Sequence, residues 1–161
     1  MTEATSVPRQ PVLPQLRYER PNDAVDWLCR VFGFVERSRM AGPDGTIYVA
    51  DLQAPGGGAL LVSGLSEVFK RAIRSVVAAD FRDVAETAWP NLSYSITVLV
   101  PEVDAHYEHA VREGARVLSA PADQPWGLRD YEAIDLEGRC WNFSRPLRDV
   151  SPADWGATSS A

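Results

Sequence analysis

Gly127–Pro146 reads GLRDYEAIDLEGRCWNFSRP. Apolar and polar residues alternate on either side of Leu136-Glu137-Gly138, which predicts a strand, a tight turn and a second strand. An earlier stretch, Gly45–Gly64, reads GTIYVADLQAPGGGALLVSG and has the same plan. Both open on glycine and carry an aromatic soon after (Tyr48, Tyr131). Both run the first strand into Asp-Leu (Asp51-Leu52, Asp135-Leu136) and turn on glycine. A hairpin that occurs twice predicts a duplicated unit.

The segments ahead of each hairpin repeat as well. Val12–Tyr18 reads as a strand, with Pro14 placing it at an edge or a strand start. After the turn at Pro21, Asn22 is positioned to cap a helix whose face is Ala24, Trp27, Leu28 and Val31, and Gly33 stops it. Phe34–Met40 is the next strand. In the second half, Leu92–Val100 is a strand and Pro101 opens a turn. Val103, Tyr107, Ala110 and Val111 then form a helical face that ends at Gly114. Arg116–Ser119 reads as a short strand and Ala120–Trp126 as a loop. Between the halves, Val68, Phe69, Ala72, Ile73, Val76 and Val77 predict an amphipathic helix with Ser66 as its cap. The expected organisation is a flexible N-terminus (1–11), a first module (12–63), a linker with a helix (64–91), a second module (92–146) and a C-terminal tail (147–161).

At 161 residues, the chain is one domain or two half-domains around a shared core. The formal charge of −6 supplies no basic field to displace phosphate counterions, so no nucleic-acid partner is expected. No apolar run is long enough to span a bilayer, and the N-terminus lacks the basic start and apolar core of a secretory signal. A cytoplasmic location follows, with Cys29 and Cys140 as free thiols.

LRYERPNDAVDWLCRVFGF in the first half and PWGLRDYEAIDLEGRCWNFSRP in the second resemble the glyoxalase/bleomycin-resistance/dioxygenase (vicinal oxygen chelate) superfamily. The second stretch is similar to the family ending G-x-R-x-x-x-x-x-D-P-D-G-x-x-W-x-F. It matches at Gly127, Arg129, Asp135, Gly138, Trp141 and Phe143, with Leu136 and Glu137 in place of Pro-Asp. The resemblance runs from Val12 to Pro146. It implies an α+β fold of tandem βαβββ modules, a curved-sheet cup around a small molecule, and a homodimer. Metal-dependent members place ligands on the first and last strands of each module, which here fall near Leu13, Leu61, Ser95 and Asn142, or at Gln15 if the register moves by two. Leucine has no donor atom, and serine and an amide are poor partners for a divalent cation, so neither metal nor cofactor is expected.

The polar residues expected to face the cup are Gln15, Arg17, Ser95, Thr97, Arg129 and Asn142, with Cys140 on the face of Asn142 and Tyr48, Trp126 and Tyr131 as aromatic walls. If Arg17 points inward it needs a carboxylate, such as Glu132, or an anionic ligand. His106 and His109 share one side of a helix with acidic neighbours and read as a solvated face. The expected function is metal-free binding of a small aromatic molecule, as in drug or metabolite resistance. The alternative is a metal-independent isomerase, lyase or cyclase using Tyr131, Arg17 or Glu132. A metal-dependent lyase or dioxygenase ranks behind both.

Overall fold

A computed structural model describes residues 10, 12–72 and 94–158. The first module runs β1 (Gln15–Tyr18), α1 (Pro21–Phe32), β2 (Val35–Ala41), β3 (Ile47–Gln53) and β4 (Ala59–Gly64). The second runs β5 (Ser95–Leu99), α2 (Val103–Arg112), β6 (Arg116–Asp123), β7 (Leu128–Ile134) and β8 (Cys140–Pro146), with a 3-10 turn at Pro152–Trp155. Each module is βαβββ and forms its own four-stranded sheet, ordered β1-β4-β3-β2 and β5-β8-β7-β6. In each sheet the first strand lies parallel to the last, because the helix carries the chain back across the sheet, and the remaining pairs are antiparallel. The sheets are curved and not closed.

Strand alternation divides each sheet into two faces. Leu16, Tyr18, Ala50, Leu52, Leu60 and Val62 of the first sheet are buried beneath Ala24, Leu28 and Val31 of α1. In the second sheet Val98, Tyr131, Ala133, Trp141 and Phe143 are buried with Val103 and Ala110 of α2. Phe32 at the end of α1 joins the two sets, with its ring centroid 4.7 Å from Phe143 and 5.7 Å from Trp141. The helix-side faces therefore share one core, and burying a ring such as Phe32 stabilises it by about 1.5–3 kcal/mol.

The second hairpin also stitches the modules together. The Asp135 carboxylate, 1% exposed, accepts hydrogen bonds from the Tyr18 hydroxyl (2.6 Å), Trp141 Nε1 (3.2 Å) and the backbone N–H groups of Glu137 (2.9 Å) and Arg139 (3.0 Å). Arg139 lies 3.8 Å over the Tyr18 ring, donates to the Arg17 carbonyl and pairs with Glu137 at 3.2 Å. Glu137 in turn accepts the backbone N–H groups of Glu19 and Arg20, just ahead of α1. Burial, and after it the charge of Asp135, raises the Tyr18 pKa and keeps the phenol protonated as the donor.

Several sequence-based expectations change. Asn22 does not cap α1: its amide bridges the Gly45 carbonyl and the Ile47 N–H, tying the helix start to β3. The Asp-Leu pairs are not equivalent. Ala54 and Asp135 hold matching turn positions, bonding to Gly58 O and Arg139 O, and Asp51 lies three residues earlier inside β3. β6 continues through Pro121 to Asp123, so Ala120–Trp126 is not a simple loop. An edge strand tolerates this proline because the ladder is already interrupted between Ser119 and Ala122. Of the expected linker, residues 67–72 are helical and 73–93 lie outside the described residues, as does most of the expected flexible N-terminus.

The two histidines are not a solvated face. Both reach the last turn of α1, where His106 Nε2 meets the Phe32 carbonyl at 3.1 Å and His109 Nε2 meets the Arg30 carbonyl at 2.9 Å. Carbonyls at a helix end lack intrahelical donors, and the i, i+3 spacing presents both rings to them.

Candidate functional site

The sheet faces turned away from the helices carry the open polar surface. On the first sheet, register places Gln15 beside Leu61 and Asp51, and Arg17 beside Ser63 and Val49. A groove of ≈ 450 Å³ runs over this face, lined by Gln15, Arg17, Ile47, Tyr48, Ser63 and Phe69 among others. Gln15 Nε2 donates to Ser63 Oγ at 3.2 Å, which leaves the serine hydroxyl proton free to donate. The Arg17 guanidinium lies 4.0 Å over the Phe69 ring, a cation–π contact. Tyr48 is 54% exposed at the groove mouth. A second groove of ≈ 460 Å³ shares Gln15, Arg17 and Phe69 and crosses to Tyr94, Ile96 and Arg139 of the second module.

On the second sheet, Ser95 pairs with Cys140, and Thr97 with Asn142, which pairs in turn with Glu132. These five side chains share the face away from α2. Ser95 and Thr97 are exposed, and Asn142 and Glu132 half-buried. Asn142 Oδ1 accepts the Ser144 hydroxyl. The Cys140 thiol is buried, and burial first and the charge of Glu132 second push its pKa up, which opposes nucleophilic use.

Three expected cup residues lie elsewhere. Tyr131 is 0% exposed on the helix side of β7, stacked on Phe143 at 5.2 Å, with its hydroxyl 2.7 Å from His106 Nδ1. The Phe32 carbonyl can only accept, so Nε2 carries the imidazole proton and Nδ1 accepts from Tyr131. Burial lowers the His106 pKa and raises that of Tyr131. Tyr131 therefore lines neither open face, because period-2 alternation assigns that face to Asp130 and Glu132. Arg129, also one step out of phase, pairs with Asp104 and Asp123, each at 2.7 Å. Trp126 packs edge-on against Trp155 at 6.4 Å. Arg17 stacks on Phe69, and Glu132, the carboxylate named for an inward-pointing Arg17, lies in the other sheet.

The positions where the family resemblance would put metal ligands do not fit a divalent cation. Leu61, adjacent to Gln15, offers no donor, and Ser95 and Asn142 each offer a neutral oxygen. Among the described residues no group of three His, Cys, Asp or Glu side chains is placed to hold a metal.

Sequence reasoning missed Phe69 and Ser63 as groove residues, and the burial of Asp51. The sequence pattern places Phe69 on the apolar face of a linker helix, and only the chain path brings it under Arg17. Asp51 interrupts the apolar run of β3 and is 7% exposed, and its Oδ1 is sealed from solvent with no hydrogen-bond donor. An acidic residue inside such a strand was the available signal.

Residues 12–138 match the family model described as Glyoxalase/Bleomycin resistance protein/Dioxygenase superfamily. Among solved structures, TioX from Micromonospora sp. ML1 is 32% identical, with a TM-score of 0.63 over 88% of this chain and 100% of that one. TnmS3, an antibiotic binding protein from Streptomyces sp. CB03234, shares the fold at 17% identity, with a TM-score of 0.55 over 86% of this chain and 98% of that one. The uncharacterized protein Rv0887c of Mycobacterium tuberculosis (strain ATCC 25618 / H37Rv) is 28% identical over 148 residues, 92% of this chain and 81% of that protein.

Proposed function

The chain belongs to the glyoxalase/bleomycin resistance protein/dioxygenase superfamily, and on that premise we propose that it binds a small aromatic organic molecule, a drug or a metabolite, in a metal-free cup. The observation that carries this reading is the groove of the first sheet. It combines aromatic surface from Tyr48 and Phe69 with converging polar groups from Gln15, Arg17 and Ser63, the usual make-up of a small-molecule site. Arg17 rests on an aromatic ring with its guanidinium edge available to a ligand acceptor. The exposed row Ser95 and Thr97, with Asn142 beside it, provides polar contacts from the second sheet. The antibiotic-binding neighbour TnmS3, which shares the fold, agrees with this reading.

Binding is favoured over isomerase, lyase or cyclase chemistry because Tyr131 is sealed in the core, and Arg17 and Glu132 stand on different sheets. We take the protein to be a cytoplasmic homodimer. Among the described residues no helix is long and apolar enough to cross a membrane. Exposed Val35 and Met40 on edge strand β2 and Leu118 on edge strand β6 offer apolar surface for a second copy. Sedimentation equilibrium tests the dimer. The binding reading predicts saturable quenching of tryptophan fluorescence by polycyclic aromatic natural products, with the ligand recovered unchanged and affinity lowered in Phe69→Ala. Conversion of the ligand would favour the enzyme, and absence of saturable binding across the panel would reject the reading.

A further inference from the structure

The charges lining the first-sheet groove are not matched within it. Among the described residues the lining holds two charged side chains, Arg17 and Glu19. Glu19 is answered by Lys70 at 2.6 Å, and Lys70 also pairs with Glu67. Arg17, half-buried, rests on Phe69 through its cation–π contact, and no carboxylate among the described residues pairs with it. The second groove reaches Arg17 too, and its other cation, Arg139, is committed to Glu137 and to the Arg17 carbonyl. Among the described residues, one guanidinium therefore stands uncommitted where the two grooves meet.

The group beside it is a donor as well. Register pairs Arg17 with Ser63, one row from Gln15. Gln15 Nε2 donates to Ser63 Oγ at 3.2 Å, which leaves the serine hydroxyl proton to donate into the groove. A free guanidinium and a free hydroxyl, with the one lining carboxylate already paired, suit an anion. A single uncommitted positive charge matches a monoanion, and the planar fork of arginine meets both oxygens of a carboxylate in parallel. The formal charge of −6 opposes an anion at long range, but salt screens such fields beyond about 8 Å, so the groups in contact decide.

We propose that Arg17 is the anchor for an aromatic carboxylate: its guanidinium donates to both carboxylate oxygens, the Ser63 hydroxyl adds a further donor, and the ligand's ring lies along Tyr48 and Leu65 of the groove lining. This rests on the binding reading above and adds the ligand's charge class to it.

The test uses two ring-matched fluorescent probes at pH 7.5: anthracene-2-carboxylate, an anion at that pH, and anthracene-2-carboxamide, its neutral counterpart. Wild type is expected to bind the carboxylate at least about tenfold more tightly, as a charge-assisted hydrogen bond provides. Arg17→Gln is expected to bring that ratio close to one by weakening the carboxylate alone. A ratio that survives in Arg17→Gln, or equal affinities in wild type, overturns the role of Arg17 and leaves the binding reading standing. If neither probe binds wild type, the binding reading fails and this inference falls with it. Arg17→Lys keeps a positive charge over Phe69 and serves where Arg17→Gln does not fold. It should retain only part of the preference, because an ammonium is a point charge without the paired fork. An undiminished preference in Arg17→Lys would refute the two-point contact.

Discussion

Replacing Tyr18 by phenylalanine removes one oxygen atom from the seam between the modules, and the structure sets the scale of the loss. The hydroxyl donates at 2.6 Å to a carboxylate that is 1% exposed. A hydrogen bond to a charged group contributes about 1.5–3 kcal/mol. Asp135 keeps Trp141 Nε1 and two backbone donors, so it is not orphaned, and the ring beneath Arg139 is retained. The loss should therefore lie near the lower end, at about 1.5–2 kcal/mol. Asp135→Asn should be worse. Its Oδ1 can still accept the two backbone N–H groups, but its NH2 then faces the indole N–H of Trp141, which is 0% exposed and finds no acceptor. It also removes the negative charge beside the buried Arg139 guanidinium, and together these changes cost about 3–5 kcal/mol. Urea unfolding at pH 7 with a constant m-value reads both, and for a chain of this size 1 kcal/mol shifts Tm by about 2–4 °C. The double variant should be less destabilised than the sum of the two, since both act on one network. A Tyr18→Phe protein within about 0.5 kcal/mol of wild type, or one less stable than Asp135→Asn, would refute this account of the seam.

Gly56→Ala should destabilise by at least about 1–3 kcal/mol, because a Cβ there would sit 1.8 Å from the Leu99 carbonyl oxygen; thermal unfolding checks it. Stability should fall on acidification through His106. Its folded pKa lies below the ordinary value of 6.5, so its contribution is complete above that pH and is lost as pH drops toward the folded pKa. Urea midpoints between pH 7.5 and 5 should show this slope, and His106→Gln should flatten it. Native Cys140 should alkylate slowly with iodoacetamide at pH 8 and rapidly once urea is added, because burial raises its pKa. Mass spectrometry of the Cys140 peptide distinguishes the two.

The sequence by itself determined the duplicated βαβββ plan, since glycine turns, alternating strands and helical faces are local signals that recur in both halves. It also determined which residue types stand at the expected metal positions, because Leu61 and Asn142 need no coordinates to be read. Facing was decided by tertiary structure. Tyr131 and Glu132 are chain neighbours with equal local claims on the cup, and only the register of β7 against β8 sends one into the core and the other to the open face. The histidines looked solvated because their acceptors, the last carbonyls of α1, lie more than seventy residues away in the chain. Phe69 and Ser63 reach the groove through chain path and strand pairing, which no window of sequence contains. The hairpin Gly127–Pro146 was legible as a repeated fold element, but its second role was not. Asp135 and Glu137 bind Tyr18, Glu19 and Arg20 of the other module, and that stitching exists only because the two sheets pack into one core.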